Sequence, residues 1–395
     1  MATEKVDLNN LDKSDWKTYR FDEIAQNISE RVDPNNTDLE VYIGLEHIDS
    51  ESLHIKRHGT PDDVNGTKLK FYKDDIIFGR RRAYQRKAGI ATCDGFCSAH
   101  ALVLRANPDV IDPALFPFFM HSDLFMNRAV DISVGSLSPT INWGTLKHQE
   151  FLIPPLKLQQ ELSLLLNSLD DLNTKLKLAI NKYETLYQKY LFDSVDPSDS
   201  VSWKEYKFGN LGESYGGLTG KTKKDFGSGK PFITYMNIFN NSTVDKNIFE
   251  LVEIKNGEKQ NIVKYGDILI TGSSEIPKEL GMASVVLEDL NEYYLNSFCF
   301  GFRLYDFNTL TPEYARYLMH GKLVREFMLK HAQGSTRFNL SKTTLKEKLI
   351  LKLPPVKEQI IISKELTGML ERKSILKAKI NSQLLLQKTL INQVF

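Results

Sequence analysis

A cluster of basic residues between two glycines is the part of this sequence best suited to bind a polyanion. Five cations fall within eight residues between Gly79 and Gly89, with a tyrosine and a glutamine interleaved among them: Arg80, Arg81, Arg82, Tyr84, Gln85, Arg86 and Lys87. Lysine and arginine neutralise phosphates, and arginine and glutamine hydrogen-bond guanine and adenine edges in the major groove. The cluster therefore predicts a nucleic-acid-binding loop. The alternative is a solvated hairpin that binds nothing.

The charge along the chain supports a local binding patch rather than a uniformly basic surface. The formal net charge of the 395 residues is only +1. Residues 1–55 contain five Lys/Arg against thirteen Asp/Glu, whereas residues 56–90 contain ten against four. Segregated charge of this kind is what a protein needs in order to hold a polyanion on one face.

The corresponding region of the second half is polar rather than basic. Two segments are candidates for nucleic-acid contact, the loop from Thr271 to Lys278 and the stretch from Ser335 to Asn339. The side chains competent for this role are Thr271, Ser273, Ser274, Lys278, Thr336, Arg337 and Asn339. If both halves bind nucleic acid, they do so through different chemistry.

No catalytic or metal-binding pattern stands out. Cys93 and Cys97 have no second pair at zinc spacing, and the segment from Tyr215 to Thr222 has one residue too few between its glycines for a phosphate-binding loop. We therefore expect no catalytic residues, no bound metal and no cofactor. Three cysteines, no apolar run of membrane-spanning length and no signal-peptide pattern predict a cytoplasmic protein.

The chain contains an internal repeat, which sets its organisation. Trp16 returns as Trp203, Gly135-Ser136 as Gly334-Ser335, Pro154-Pro155 as Pro354-Pro355, and Gln159 as Gln359. Such matches in the same order indicate a duplicated unit. The linker between the halves is predicted at Val195 to Ser202, which contains Pro197 among aspartates and serines.

Each half begins with short β-type segments, at 41–43, 76–78 and 101–104 in the first and 232–235, 268–270 and 298–302 in the second. A helix follows, opened by Asp112-Pro113 or Thr311-Pro312, in which a capping residue precedes proline at the first helical position. A Gly-Ser loop, an apolar strand and a double proline then lead into a long helix.

The two long helices, about 159–192 and 358–394, have apolar residues at heptad spacing. Equal length and equal placement predict that they pair with each other. The residues expected at the pairing surface are Leu162, Leu165, Leu169, Leu172, Leu176, Ile362, Leu366, Met369, Leu376 and Ile380.

Taken together, the duplicated Trp, Gly-Ser, Leu146/Leu345 and Pro-Pro-x-x-x-Gln elements resemble the DNA specificity subunit of type I restriction–modification enzymes. The resemblance covers essentially the whole chain. It implies an α+β fold in which two tandem-repeated α/β target-recognition domains are separated by two long antiparallel coiled-coil helices. The implied domains are 1–153 and 197–353, with a spacer helix and linker at 154–196 and a second spacer helix at 354–395.

The resemblance further implies a non-catalytic subunit in which each domain reads one half of a bipartite DNA site. The helices act as a ruler and dock two modification (methyltransferase) subunits, and restriction (motor nuclease) subunits join the assembly. S-adenosylmethionine and ATP are expected on those partners. A transcriptional regulator with two DNA-binding domains and a coiled-coil adaptor are the alternatives, although no helix-turn-helix is evident and an adaptor needs no arginine cluster.

Overall fold

The computed structural model describes residues 11–196 and 202–395. Most of the predicted linker, residues 197–201, lies outside the described residues. Among the helices of the described part, none combines the length and apolar character needed to cross a bilayer.

The elements of the first half follow a strand-rich region with a helical one. The strands are β1 (Lys17–Arg20), β2 (Ala25–Ile28), β3 (Arg31–Val32), β4 (Tyr42–Ile43), β5 (Lys68–Phe71), β6 (Ile76–Gly79), β7 (Ala88–Ile90), β8 (Gly95–Cys97), β9 (Ala101–Ala106) and β10 (Glu150–Ile153). The helices are α1 (Phe21–Ile24), α2 (Phe116–His121), α3 (Asp123–Asp131), α4 (Trp143–Leu146) and α5 (Leu156–Val195).

The second half repeats this order. Its strands are β11 (Lys204–Lys207), β12 (Gly212–Gly216), β13 (Phe226–Ile233), β14 (Phe249–Val252), β15 (Ile268–Thr271), β16 (Ser273–Ser274), β17 (Ala283–Val285), β18 (Tyr294–Leu295), β19 (Cys299–Leu304), β20 (Phe338–Asn339) and β21 (Ile350–Leu353). Its helices are α6 (Tyr235–Asn240), α7 (Pro312–Leu318), α8 (Lys322–Lys330), α9 (Lys342–Lys348) and α10 (Val356–Val394).

The duplication predicted from the sequence is confirmed in the sheet topology. A four-stranded sheet of order β2-β9-β6-β7 in the first half corresponds to β12-β19-β15-β17 in the second. A two-stranded antiparallel pair, β1 with β10 or β11 with β21, joins the start of each half to the strand before the double proline. The mixed helix and strand architecture agrees with the predicted α+β class.

The chain divides into two compact units, and each is described by itself. The first contains residues 1–179 and 377–395, and the second contains the continuous stretch 180–376. Each long helix therefore contributes one part to each unit. In the first unit, the C-terminal part of α10 contacts α3, because the Asn392 side chain accepts the Asp123 backbone N–H at 2.8 Å and donates to its carboxylate at 2.7 Å.

A buried glutamine connects each long helix to the body of its own half. Gln159 accepts the Asp112 N–H at 2.7 Å and donates to the carbonyl oxygens of Val110 and Pro154 at 2.8 and 2.7 Å. The Gln159 side chain is fully buried, and so is that of its counterpart in the second half, Gln359. Buried polar groups need partners of this kind, so this position cannot be filled by an apolar residue of the same size without loss of the bonds.

The second half contains the same arrangement. Gln359 accepts the Thr311 N–H at 3.0 Å and donates to the carbonyl oxygens of Thr309 and Pro354 at 2.8 and 2.9 Å. The repeated Pro-Pro-x-x-x-Gln pattern is therefore a device that starts each long helix against its domain.

The strands predicted at 41–43 and 298–302 are observed at Tyr42–Ile43 and Cys299–Leu304. Two further predicted bounds differ from the structure for a reason that the hydrogen bonds show. The first is the helix expected to open at Pro113, which begins at Phe116. The Asp112 carbonyl accepts the N–H groups of Leu115 and Phe116, so a separate turn precedes the helix. Its counterpart α7 does begin at Pro312, with Thr311 as the cap. The second is the strand expected to reach Tyr235, which ends at Ile233 because Thr234 caps α6 and accepts the Asn237 N–H.

The two long helices pair through a buried seam that differs in part from the predicted one. In the first unit, Leu162 and Leu166 pack in one cluster with Ile391 and Val394. Further along α5, Asn173 bonds Gln387, which lies earlier in α10, so the two helix segments run antiparallel. In the second unit, Tyr183 bonds the Met369 carbonyl and Tyr190 bonds Glu365, which gives the same direction. Tyr187 and Leu191 belong there to the cluster that contains Ile362 and Leu366. The burial of the remaining predicted residues varies: Ile380 is buried, and Leu169, Leu176, Met369 and Leu376 are partly buried.

Leu165 and Leu172, which the heptad pattern assigns to the seam, are instead 40% and 42% exposed. Positions 166 and 173 are buried in their place. Heptad positions alternate by three and four residues, so a seam that contains Leu162 can continue at 165 or at 166. The structure uses the second phase and buries Asn173, a residue that an apolar pattern does not select.

Candidate nucleic-acid interface

The basic loop of the first half connects β6 to β7 and is held by a second loop. Arg81 forms an isolated antiparallel bridge with Thr140, and the Arg82 N–H donates to the Pro139 carbonyl at 2.7 Å. The Ile141 N–H donates to the Arg80 carbonyl at 2.9 Å. Arg80 to Arg82 are therefore fixed along their backbone to residues 139–141, a contact that no pattern in the sequence indicates.

Within this loop, the exposed cations lie at its start. Arg81, Arg82 and Tyr84 are exposed, and Tyr84 retains 55% of its accessible surface. Arg80 is half-buried, and its guanidinium donates to the Ala99 carbonyl at 3.2 Å. Gln85 is also half-buried. The outward charge of the loop is thus concentrated at Arg81 and Arg82.

Arg86 and Lys87 are engaged within the first unit. The Arg86 guanidinium forms ion pairs with Asp123 at 2.6 Å and Glu51 at 3.4 Å, and its side chain is 19% exposed. The Lys87 ammonium donates to the Leu45 carbonyl at 2.6 Å. Both residues hold the end of the loop against neighbouring segments, which stabilises the conformation that presents Arg81 and Arg82.

The two candidate segments of the second half, far apart in sequence, are brought together. Strands β16 and β20 pair antiparallel, with Ser273 opposite Asn339 and Ser274 opposite Phe338. The Leu340 N–H donates to the Gly272 carbonyl at 3.0 Å. The same pairing of two loops found in the first half is therefore present here.

The candidate residues of the two segments differ in how far they are exposed. Thr271 is fully buried, and Ser273 and Ser274 are 9% exposed. Lys278 is exposed, although its backbone carbonyl accepts a bond from Arg325. Thr336, Arg337 and Asn339 are exposed. In the second unit, the outward polar side chains of this pair thus come mainly from the later segment.

The paired loops of the two units have the same backbone arrangement but carry different side chains. The bridge pairs Arg81 with Thr140 in the first unit and Ser273 with Asn339 in the second. In both, the later segment begins with a glycine at positive φ, +117° at Gly135 and +129° at Gly334, a conformation that favours glycine. The repeated Gly-Ser dipeptide is the sequence signal for this second loop.

A buried histidine supports the strand that leaves each loop. His121 bonds to the Ala88 carbonyl at 2.7 Å, and His320 bonds to the Ala283 carbonyl at 2.9 Å. Burial lowers the pKa of each imidazole to about 4 despite this bond. Both histidines are therefore neutral at physiological pH and serve the framework of the loop.

A buried aspartate with a bidentate arginine lies at the start of the preceding strand in each unit. The Arg105 guanidinium bonds both oxygens of Asp75, at 2.7 and 3.0 Å. The Arg303 guanidinium bonds both oxygens of Asp267, at 2.8 and 2.6 Å. These charges are neutralised internally, so they belong to the framework rather than to the exposed surface.

A cleft of about 350 Å³ opens beside β20 in the second unit. It is lined by the glycine-rich turn 216–219, by residues 297–300 and by Ser273, Asn339 and Lys342. A side chain at Gly217 would place its Cβ 2.1 Å from the Asn296 carbonyl oxygen, so this turn requires glycine for its close approach. The sequence patterns do not identify two residues of this cleft, Phe298 and Lys342.

The three cysteines differ in exposure. Cys93 is exposed, whereas Cys97 and Cys299 are buried, and burial raises the pKa of both buried thiols to about 12. Among residues 11–196 and 202–395, no three His, Cys, Asp or Glu side chains come together in a way that could hold a metal ion.

Solved structures share this fold. A chain from a type I R-M system, described for its complex assembly and conformational transition, superposes with a TM-score of 0.64 at 18% identity, covering 96% of this chain and 97% of that one. The type I S subunit from M. genitalium gives a TM-score of 0.56 at 15% identity, with 98% of both chains covered. The HsdS subunit of Thermoanaerobacter tengcongensis gives 0.50 at 18% identity, with 97% of both covered.

Curated relatives match part of the sequence. The type I restriction enzyme EcoDI specificity subunit of Escherichia coli is 25% identical over 197 residues, which are 48% of this chain and 44% of that protein. The HindI specificity subunit of Haemophilus influenzae is 24% identical over 197 residues, 47% of this chain and 42% of that protein. The alignments span less than half the length of these relatives.

The family model for the type I restriction modification DNA specificity domain, Methylase_S, matches twice, at residues 13–182 and 200–386. These two matches follow the duplication seen in the sheets, the buried glutamines and the paired loops. Together they cover most of the 395 residues, and the chain belongs to the type I restriction modification DNA specificity family.

Proposed function

We propose that this chain is the non-catalytic, sequence-specific DNA-binding subunit of a type I restriction–modification enzyme, and that each unit reads one half of a bipartite target. Family membership supports DNA recognition, and two similar proteins bear the name of specificity subunits of type I restriction enzymes. The chain directs the chemistry of partner subunits to its target.

The observation that carries this proposal is the pair of bridged loops in each unit. The backbone arrangement of these loops is the same in both units, whereas their exposed side chains differ. One unit presents Arg81 and Arg82 beside the bridge, and the other presents Arg337 and Asn339. Arginine pairs bidentately with guanine and asparagine with adenine. A constant scaffold with different reading side chains is what recognition of two different half-sites requires.

We assign the docking of partner subunits to the long helices. The stripe with Leu165 and Leu172 lies outside the buried seam, and Leu164 beside it is 71% exposed. Exposed apolar stripes of this kind are typical of protein interaction surfaces. In this proposal two methyltransferase subunits dock there, motor nuclease subunits join the assembly, and S-adenosylmethionine and ATP are bound by those partners.

Co-expression of the chain with type I methyltransferase subunits tests the proposal. The expected result is stable co-purification and methylation of adenines at a bipartite sequence with a fixed non-specific spacer, mapped by sequencing of modified DNA. The Arg81→Ala/Arg82→Ala double variant is expected to lose methylation while it still co-purifies. DNA-dependent control of a promoter without methylation would instead show a transcriptional regulator.

A second experiment tests the role of the helices as a ruler. One heptad inserted after Asn173 in α5 and one before Gln387 in α10 keeps the phase of the buried seam, because both insertions are whole heptads. The expected result is a longer spacer between unchanged half-sites. Altered half-site bases with an unaltered spacer would contradict the ruler.

A further inference from the structure

An exposed aromatic ring lies beneath an arginine of the paired loops in the second unit. Phe298, the residue just before β19, is 54% exposed. The Arg337 guanidinium lies over this ring, 5.2 Å from its centroid. A guanidinium placed over an aromatic face is attracted to it electrostatically, so this contact is favourable.

The Arg337 guanidinium keeps its donors available. Within the described residues, its side chain has the ring contact and no hydrogen bond or ion pair. Its loop is nevertheless held in place, because Gln333 and Asn339 exchange backbone hydrogen bonds of 3.1 and 2.8 Å and Gly334 turns at positive φ. The result is an arginine with a fixed base and an unoccupied hydrogen-bonding edge.

Two further polar side chains lie near this pair. Asn339 and Lys342 line the same cleft as Phe298, and Lys342 lies with its ammonium 5.6 Å from the Phe300 ring. The cleft of about 350 Å³ therefore combines an aromatic ring, an amide and a cation. These are the groups used to contact bases and phosphates.

The corresponding positions of the first unit do not have this combination. At the positions that correspond through the strand pairings, it has His100 in place of Phe298, Ser138 in place of Arg337 and Thr140 in place of Asn339. In the paired loops of the first unit, the exposed arginines, Arg81 and Arg82, lie on the other strand of the bridge. The arginine over the Phe298 ring is thus a property of the second unit and not part of the shared framework.

We infer that Phe298 is a positioning residue that holds Arg337 flat, so that the guanidinium donates two hydrogen bonds to N7 and O6 of a guanine in the half-site read by the second unit. This inference rests on the proposed function. A planar fork fixed on a ring presents its edge in the geometry that guanine requires. Asn339, two residues further along the same loop, contacts the adjoining base pair.

The test is selection of bound sequences from random duplex DNA by the full chain purified with its methyltransferase subunits. We expect an invariant guanine in one half-site. The Arg337→Ala variant reduces the preference for guanine at that position by roughly 10- to 100-fold and leaves the other half-site unchanged. Arg337→Lys keeps the charge and loses the preference, because lysine lacks the fork.

Variants of Phe298 separate positioning from general stability. Phe298→Leu is expected to weaken the preference for guanine at the same position. Phe298→Tyr, which keeps the aromatic ring, is expected to retain that preference. The matched control is Tyr305→Ala, which removes a 65% exposed ring at the opposite end of β19 and leaves the preference unchanged. Lys342→Ala reports a phosphate contact through a uniform loss of affinity.

These experiments distinguish failure of the proposed function from failure of the inference about Arg337 and Phe298. A complex that shows no sequence preference at all overturns the proposed function and this inference together. A sequence-specific complex whose preference survives Arg337→Ala or Phe298→Leu overturns the inference alone. An Arg337→Ala variant that binds every sequence more weakly by the same factor also overturns it, because that result assigns Arg337 to a phosphate.

Discussion

Asn173 donates a hydrogen bond through its side-chain amide to the Gln387 side-chain oxygen at 2.8 Å, where the two long helices pack against each other. Both side chains are buried, and Gln387 also bonds Asp170 at 3.4 Å. A polar pair buried between two helices fixes their register, because a shift of either helix breaks this bond and leaves its donor and acceptor buried without each other.

Replacing one member of this pair should therefore cost more than replacing both. Asn173→Leu or Gln387→Leu alone is expected to lower the free energy of unfolding by about 1–3 kcal/mol, since one buried amide loses its partner. The Asn173→Leu/Gln387→Leu double variant is expected to recover most of that loss. Chemical denaturation of all four proteins completes the double-mutant cycle, and additive losses would contradict the pairing.

The arginines of the basic loop should separate into two classes. Arg81→Ala and Arg82→Ala are expected to weaken DNA binding and to make it less sensitive to salt. The slope of log affinity against log salt should fall by up to about 0.9 for each phosphate that the variant no longer neutralises. Neither change should alter thermal stability, because both side chains are exposed.

Arg86→Ala is expected to lower the melting temperature of the first unit, since it removes the ion pairs with Asp123 and Glu51. Arg20→Ala, an exposed arginine on β1, is the matched control for both measurements. An Arg81→Ala/Arg82→Ala protein with wild-type affinity and salt dependence would remove this loop from the interface.

The buried histidines should make stability fall at acid pH. The pKa of His121 and of His320 is about 4 in the folded protein, against about 6.5 in the unfolded chain. The unfolded state therefore binds more protons as the pH falls below about 6.5, and the free energy of unfolding decreases from there towards pH 4. The contribution of each histidine is complete above about pH 6.5 and is on the order of 3 kcal/mol.

Urea denaturation at several pH values between 7.5 and 4 checks this expectation. His121→Gln and His320→Gln each remove one titrating group, so each variant should show a shallower decline than the wild type. A decline of unchanged steepness in the variant with both substitutions would assign the acid sensitivity to other groups.

The two anchoring glutamines should be equivalent in their own units. Gln159→Ala leaves the Asp112 N–H and two carbonyl oxygens without their partner, which is expected to destabilise the first unit by at least about 2 kcal/mol. Gln359→Ala should do the same in the second unit. Hydrogen exchange read separately at the start of α5 and of α10 checks both, and each variant serves as the control for the other unit.

The sequence predicts the duplication well because the repeated residues have strong local roles. A double proline ends a strand, and a buried glutamine four residues after the second proline starts a helix, so their order is recognisable without the structure. The seam of the helices is harder to predict. Leu164, Leu165 and Leu166 are consecutive, and the choice between Leu172 and Asn173 is settled by Gln387, more than 200 residues away.

The candidate interface is likewise predictable from the sequence only in part. Composition identifies the arginine cluster, but it does not distinguish Arg81, which is exposed, from Arg86, which is paired with Asp123. That distinction depends on α3, a separate element. Phe298 is not predictable because a single phenylalanine at the start of an apolar strand is typical of a core, and only the structure shows its ring exposed beneath Arg337.

The division of the chain into its two units has a consequence for the order of folding during synthesis. The second unit is one continuous stretch, so the ribosome delivers all of its parts in succession. The first unit must wait for residues 377–395, and its bond between Asp123 and Asn392 joins groups 269 residues apart. Contacts of such long range form slowly. The domain translated first is therefore expected to complete its fold last, with an apolar surface around Phe119 uncovered until the Phe395 ring packs against it.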